Sequence, residues 1–204
     1  LCRRAAGKPS PAWGSFGYLK QRLVEAVRDI AEKNGLKTDI STEPRDAIYG
    51  DDWYSFLASA RYTIGAESGS SLLDREGDIT GKVNAYLVAH PDASFDDVER
   101  NCFRGLDGSV RLAVLGPRHL EACATLTCQI LIRGDYNGLL KAGVHYIPLE
   151  PDLSDLGVVL AGLGDEARRL EIVQNAFEDV VRPRKITYEA FVEKVLDKSL
   201  EGRV

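Results

Sequence analysis

At 204 residues, with 44% hydrophobic and 28% charged side chains, the chain has the composition of a folded protein, long enough for one substantial core or two small ones. A formal net charge of −5 and a pI near 5.3 exclude a broad nucleic-acid surface, which needs a clustered excess of Lys and Arg. No apolar run reaches the roughly 20 residues of a spanning helix and no signal-peptide core is evident, so a soluble, cytoplasmic protein without a membrane span is expected.

The four cysteines, Cys2, Cys102, Cys123 and Cys128, have neither a paired Cys-x-x-Cys nor zinc-like spacing, and reduced thiols are expected. The chain contains no methionine, and Leu1-Cys2-Arg3-Arg4 reads like the interior of a longer protein. The chain is therefore expected to be a fragment, one that lacks any function needing a second domain.

Residues 8–17, rich in Pro, Gly and Ser, predict a loop. Residues 1–17 together read as a loop or the remnant of an interdomain linker. Over 18–34, Leu19, Leu23, Val24, Val27, Ile30 and Ala31 recur at helical spacing, and Gly35 supplies a stop before a short strand over 36–40. A helix over 51–60 carries Trp53, Phe56 and Leu57 on one face, and a strand follows over 61–65. Residues 66–71 read as a polar, Gly-containing loop. Two short helices around Pro91 fill 81–103, before an apolar strand over 110–115.

Pro117 fits the first turn of the next helix, where its missing N–H would have been unpaired anyway. Cys128 to Ile132 has the continuous apolar character of a buried parallel strand, and 144–149 predicts another. Three helices close the chain, over 154–163, 165–180 and 187–200. Strands alternating with helices imply an α/β, Rossmann-like, open and mostly parallel sheet with helices on both faces, over residues 18–180. Residues 181–204 then form a C-terminal linker and closing helix, and the basic run Arg182 to Lys185 reads as solvated.

Two segments follow predicted strands, where open α/β sheets bind ligands. In the first, Gly65 to Gly77, glycines such as Gly69 let backbone approach an anion, and Ser70 and its neighbours can donate to it. A polar turn with serine caps accounts for the same residues structurally. The spacing excludes a Gly-x-Ser-x-Gly nucleophile elbow, because Ser68 directly precedes Gly69, and a P-loop, because Ser70 stands where Lys is required. In the second segment, Gly116-Pro117-Arg118-His119-Leu120-Glu121, Arg118 can pair with a phosphate at a helix N-terminus and Glu121 can accept from a ribose diol. An exposed Arg118–Glu121 pair on the first turn is the structural alternative. His145 reads as a hydrogen-bonded core residue or, alternatively, a base, and the three histidines have no metal spacing.

The order of motifs, Pro117-Arg118-His119-Leu120-Glu121-Ala122-Cys123-Ala124, then Gln129-Ile130-Leu131, Gly134-Asp135-Tyr136-Asn137-Gly138 and His145-Tyr146-Ile147-Pro148-Leu149, resembles the C-terminal domain of GT-B-fold glycosyltransferases, in particular the group 1 and spore-maturation-like branches. The resemblance spans roughly residues 49–176 and is distinctive over 117–149. It implies one half of a GT-B fold that binds a nucleotide-diphosphate sugar as donor substrate, with no separate cofactor or metal. The remaining half would be an N-terminal, acceptor-binding domain of the same protein. It further implies that Glu121 binds the donor ribose, that Gly116, Arg118 and His119 lie near the phosphates, and that Glu67, Gly69 and Ser70 face the same cleft. The loop Asp135, Tyr136, Asn137 and Gly138 would border the sugar, and Arg118 would meet charge developing on the departing diphosphate.

Two positions depart from the family pattern. Ala113 stands where a second Glu is usual, so either Glu67 supplies the missing carboxylate or the donor is handled differently. Ala124 to Thr127 also lacks the usual Gly before the apolar strand. Donor binding for polysaccharide or glycoconjugate synthesis is the expected function, and a noncatalytic Rossmann-like module that binds a partner or effector is the alternative.

Overall fold

The computed structural model describes residues 1–4 and 9–201, apart from the side chains of Arg4 and Glu32. Five strands form one parallel sheet. These are β1 (Cys2–Arg4), β2 (Asp39–Ser41), β3 (Tyr62–Gly65), β6 (Cys128–Ile132) and β7 (Ile147–Leu149), in the order β2-β1-β3-β6-β7. The chain first moves outward from β1 to β2, then returns to the other side of β1 and continues through β3, β6 and β7. The direction of winding therefore reverses between β1 and β3, so the chain diverges from this boundary on its two sides. Open α/β sheets bind ligands in the crevice this divergence creates.

β6 is buried along its whole length, as a continuous apolar run in an inner parallel strand requires. Its alternation divides the molecule into two layers. Cys128, Ile130 and Ile132, with Tyr62 and Ile64 of β3, pack against Leu23, Val24 and Val27 of α1 (Gly14–Lys33), against α6 (Leu156–Ala161) and against α7 (Glu166–Ala176). Leu131 faces the other way, into a smaller cluster with Tyr136, Tyr146 and Cys123 of α5 (Pro117–Ala124). α2 (Asp51–Ala58) joins this second layer, where Thr127 Oγ1 donates to the Leu57 carbonyl at 2.8 Å. An α/β sheet with helices on both faces is the observed architecture. All four cysteines are buried and free.

The segment between Asp74 and Val110 builds a third cluster. Helices α3 (Asp78–Ala89) and α4 (Phe95–Cys102) pack Val83, Val98 and Phe103 around Ala12 and Leu72. Ser94 and Asp97 form a reciprocal cap that starts α4.

Three local expectations are corrected. Cys2–Arg4, read from sequence as part of a loop, is an inner strand, paired with β2 through Arg3↔Ile40 and with β3 through Cys2↔Thr63. Residues 5–8 lie outside the described residues, but the segment after them is not loop as far as Gly17. A 3-10 turn over Pro11–Trp13, capped by Ser10, leads directly into α1 at Gly14. Caps distant in sequence permit that early start: the Ser15 N–H donates to Asp107 Oδ1 at 3.0 Å and the Phe16 N–H to Ser71 Oγ at 3.1 Å.

The polar loop expected over 66–71 contains β4 (Ser68–Ser70). It pairs antiparallel with β5 (Leu112–Val114) in a separate two-stranded ribbon, so β5 lies outside the main sheet. The close approach depends on Gly69, whose φ is +158° and whose added Cβ would overlap the Leu112 carbonyl. The C-terminal helix α8 (Tyr188–Glu201) has no buried residue.

Candidate anion site at the sheet reversal

A cavity of about 180 Å³ opens where β1 and β3 diverge. Arg3 enters it from β1, Lys20 from α1, Ser68 from β4, Trp53 from α2, and Gly116 to His119 from the start of α5. Among the described residues, its lining includes three cationic side chains and no carboxylate.

Each cation is held in place. Arg3 Nη1 donates to the Ile64 carbonyl at 3.1 Å, while its Nε is buried without a hydrogen-bond partner. Burial and the neighbouring Arg118 lower the Arg3 pKa to about 10. Lys20 Nζ donates to Ser68 Oγ at 2.7 Å, and burial together with Arg3 and Arg118 brings its pKa down to about 8. Arg118, exposed on α5, lies over the Trp53 ring, its guanidinium carbon 5.1 Å from the ring centroid. Like charges crowded in this way disfavour one another, and an anion between them would relieve that repulsion.

α5 adds its own polarity. Gly116 is its N-cap, Pro117 its first residue, and no side chain caps it. The positive end of the helix dipole therefore lies at the cavity. Behind the first turn, His119 is buried, with Nδ1–H donating to Gln129 Oε1 at 3.1 Å, and Gln129 Nε2 donates back to the His119 carbonyl at 3.1 Å. Burial lowers the His119 pKa to about 4, against the opposing effect of the Gln129 bond. A neutral ring is the result, so His119 contributes a packed wall rather than a fourth positive charge.

The residues expected from sequence divide into two groups. Gly116, Arg118 and His119 line the cavity together. Gly69 and Ser70 line an adjoining depression, which shares Lys20 and Ser68 with the cavity. The Ser70 hydroxyl lies within hydrogen-bond distance of the Trp13 and Leu72 carbonyls, which share its one proton, and its Oγ accepts the Leu72 N–H at 3.1 Å, so it serves as a turn cap.

Glu121, Glu67 and the 135–138 loop are placed elsewhere. Glu121 Oε2 accepts the Trp53 indole N–H at 2.7 Å. The Glu121 carboxylate is therefore one residue removed from the cavity and borders a neighbouring apolar depression with Leu120 and Val181. Glu67 turns away from the cleft. Its side chain is 4% exposed, with Oε1 accepting the Tyr136 N–H at 2.8 Å and Arg111 Nη2 standing 3.9 Å from Oε2.

The loop it holds is a brace. Tyr136 is fully buried, its hydroxyl donating to the Ile132 carbonyl at 2.6 Å. Asn137 Oδ1 accepts the Leu115 N–H at 2.7 Å, directly ahead of α5. Asp135 and Gly138 close a turn by a 2.9 Å backbone bond. None of these four residues lines the cavity.

His145 is a satisfied core residue, Nδ1 accepting from the Lys141 N–H at 3.2 Å and Nε2–H facing Asp179 Oδ2 at 3.0 Å. Arg182 and Arg184 in the basic run pair with Glu178 and Glu189. Arg3, Lys20 and Trp53 were not picked out from sequence. The signal for Arg3 was present, since a basic residue just ahead of a Gly/Pro/Ser-rich connection and a helix fits a strand–loop–helix unit.

Among the described residues, no cluster of His, Cys, Asp and Glu could hold a metal ion, and no helix is long and apolar enough to cross a membrane. Neither a protein-family model nor a curated protein matches the chain.

Proposed function

We propose that this chain binds the diphosphate of a nucleotide sugar at the β1/β3 reversal, as the donor-binding domain of a cytoplasmic glycosyltransferase. The observation that carries the proposal is the meeting of Arg3, Lys20 and Arg118 with the uncapped start of α5 around a cavity whose lining, among the described residues, holds no carboxylate. Two adjacent negative charges fit that field better than a neutral metabolite or a cation. Trp53 and Glu121, side by side at one edge, supply a ring face and a carboxylate suited to a nucleoside and its ribose hydroxyls.

In sugar transfer, the bond from the anomeric carbon to the phosphate oxygen breaks and the diphosphate leaves with the electron pair. The acceptor hydroxyl forms the new bond and loses its proton. Charge accumulates on the leaving oxygens, and in this reading Lys20, Arg3, Arg118 and the positive end of α5 would stabilise it. The acceptor would be held by a second, N-terminal domain of the same protein.

Glu67 bears on the alternative, a noncatalytic Rossmann-like module that binds a partner or effector. Its carboxylate is committed to the Tyr136 loop and Ala113 brings none. This separates binding from transfer but leaves the anion site intact.

The test is a ligand-observed NMR titration with UDP, GDP, dTDP and CMP, and with the corresponding nucleosides. Saturable binding of a diphosphate, absent for its nucleoside and lost in Lys20→Met, is expected. Silence for every diphosphate, or binding that Lys20→Met leaves unchanged, would remove the proposal.

A further inference from the structure

The chain has two tryptophans, and they stand at opposite ends of one groove. Trp53 lines the cationic cavity. Trp13, 52% exposed, lines the adjoining depression of about 450 Å³ together with Gly17, Gly69 and Leu112. Lys20 and Ser68 line both, and their 2.7 Å hydrogen bond is the divide between the two compartments.

The second compartment has a different chemistry. Among the described residues, its lining carries no charged side chain apart from Lys20 on the divide. Its floor is backbone at two glycines. A Cβ on Gly17 would stand 2.5 Å from Trp13 Cβ and 3.0 Å from the Gly69 carbonyl, and one on Gly69 would overlap the Leu112 carbonyl. Trp13 is anchored through its main chain, whose carbonyl accepts from the Ser71 N–H at 3.0 Å and from Ser70 Oγ at 2.9 Å. The indole is thereby left as an exposed aromatic wall on a fixed backbone, beside a shallow polar edge.

We infer that this compartment is the sugar subsite, and that it takes an uncharged pyranose stacked by its C–H face on Trp13, with the attached diphosphate crossing at Lys20. An exposed aromatic wall, a flat floor and flanking backbone and hydroxyl groups are what a ring with one apolar face and hydroxyls at its rim requires. The inference rests on the donor-binding proposal above and adds the location and class of the transferred group.

The experiment uses three variants, Trp13→Ala, Trp13→Phe and Trp53→Phe, with UDP, GDP and dTDP and their glucose or mannose conjugates. In Trp53→Phe the remaining emission comes from Trp13. It should change on adding a nucleotide sugar and stay unchanged with the matching diphosphate. Trp13→Ala should weaken the nucleotide sugar roughly 3- to 10-fold, the size of one aromatic stacking contact, with the diphosphate alone still bound and Trp13→Phe restoring most of the loss. Once ligand-observed NMR shows that Trp53→Phe still binds the diphosphate and its sugar conjugate, a Trp13 signal identical for both ligands would overturn the sugar assignment, as would equal weakening of both in Trp13→Ala, while the diphosphate site stands. If no diphosphate binds the unmodified chain, the donor-binding proposal fails, and this inference fails with it. Thermal melts of each variant identify any that has lost its fold, and in that case Trp13→Phe carries the comparison.

Discussion

Glu67 and Tyr136, 69 residues apart in the chain, are joined by a 2.8 Å hydrogen bond from the Tyr136 N–H to the buried Glu67 carboxylate. The bond stabilises an unusual backbone, since Tyr136, Asn137 and Gly138 all have positive φ, at 48°, 56° and 68°. Asn137 in turn fixes the Leu115 N–H ahead of α5. One carboxylate thus sets the position of the turn that delivers Gly116 and Arg118 to the cavity.

Removing that carboxylate should loosen the brace. For Glu67→Ala we expect a loss of about 2–3 kcal/mol of stability, the range for a buried charge-assisted hydrogen bond left without its acceptor, measured by urea unfolding. Gly134→Ala should act at the same place, because its Cβ would lie 2.5 Å from Glu67 Oε2 and 2.9 Å from Glu67 Cδ. Amide exchange should rise at Leu115 and Tyr136 in both. Unchanged exchange at Leu115 would show that the brace does not reach α5.

Anion binding should weaken as pH rises through about 8. The folded pKa of Lys20 lies near 8, against an ordinary value of 10.5, so below pH 8 the ammonium is charged and attracts phosphate, and above it the charge is lost. A bound diphosphate raises that pKa again, so binding between about pH 8 and 10.5 takes up a proton. Calorimetry of UDP binding in two buffers of different ionisation enthalpy reads this uptake directly. An affinity that stays the same from pH 7 to 9.5, or a binding heat that does not depend on the buffer, would contradict it.

His119 predicts an acid limb of stability. Its pKa is about 4 in the fold and 6.5 for an unperturbed histidine, so between those values the unfolded chain binds the proton and the folded chain does not. Stability therefore falls as pH drops from about 6.5 toward 4, with no further contribution below. His119→Asn, which keeps a donor toward Gln129 but cannot titrate, should flatten that limb in urea melts at pH 4.5 and 7. An equal loss in variant and parent would place the acid sensitivity at another group.

Trp53→Phe isolates the indole N–H. Phe retains a ring beneath Arg118 but leaves Glu121 Oε2 without its 2.7 Å donor, which should cost about 1 kcal/mol of stability. If Glu121 receives a ribose, both Trp53→Phe and Glu121→Ala should reduce the preference for UDP over its 2′-deoxy analogue. The same preference in all three proteins would leave Glu121 a purely structural partner of Trp53.

Much of the scaffold could be read locally. β6 is apolar apart from Gln129, and α5 begins where a Gly-Pro turn ends, because these features depend on neighbours within a few residues. β1 was missed for the opposite reason. Cys2-Arg3-Arg4 does not look apolar, and its inner position comes from pairing with Asp39–Ser41 and Thr63. The β4–β5 ribbon was hidden because its partners are more than 40 residues apart, meeting through Ser68↔Val114 and Ser70↔Leu112. In the candidate site, residues contiguous with α5 were found, whereas the cations from β1 and α1 were not.

By itself, the amino-acid sequence determined the α/β class, the alternation of strands and helices, the start of α5 and a chemistry without a nucleophile elbow or P-loop, because each is written in periodicity or spacing along the chain. Only the tertiary structure decided which polar groups share a space. It brought Arg3, Lys20 and Arg118 together at the strand reversal, and it assigned Glu67 to Tyr136 and Glu121 to Trp53. A side chain's partner depends on direction and on which donor reaches it first, and both are set when strands distant in sequence become neighbours in the sheet.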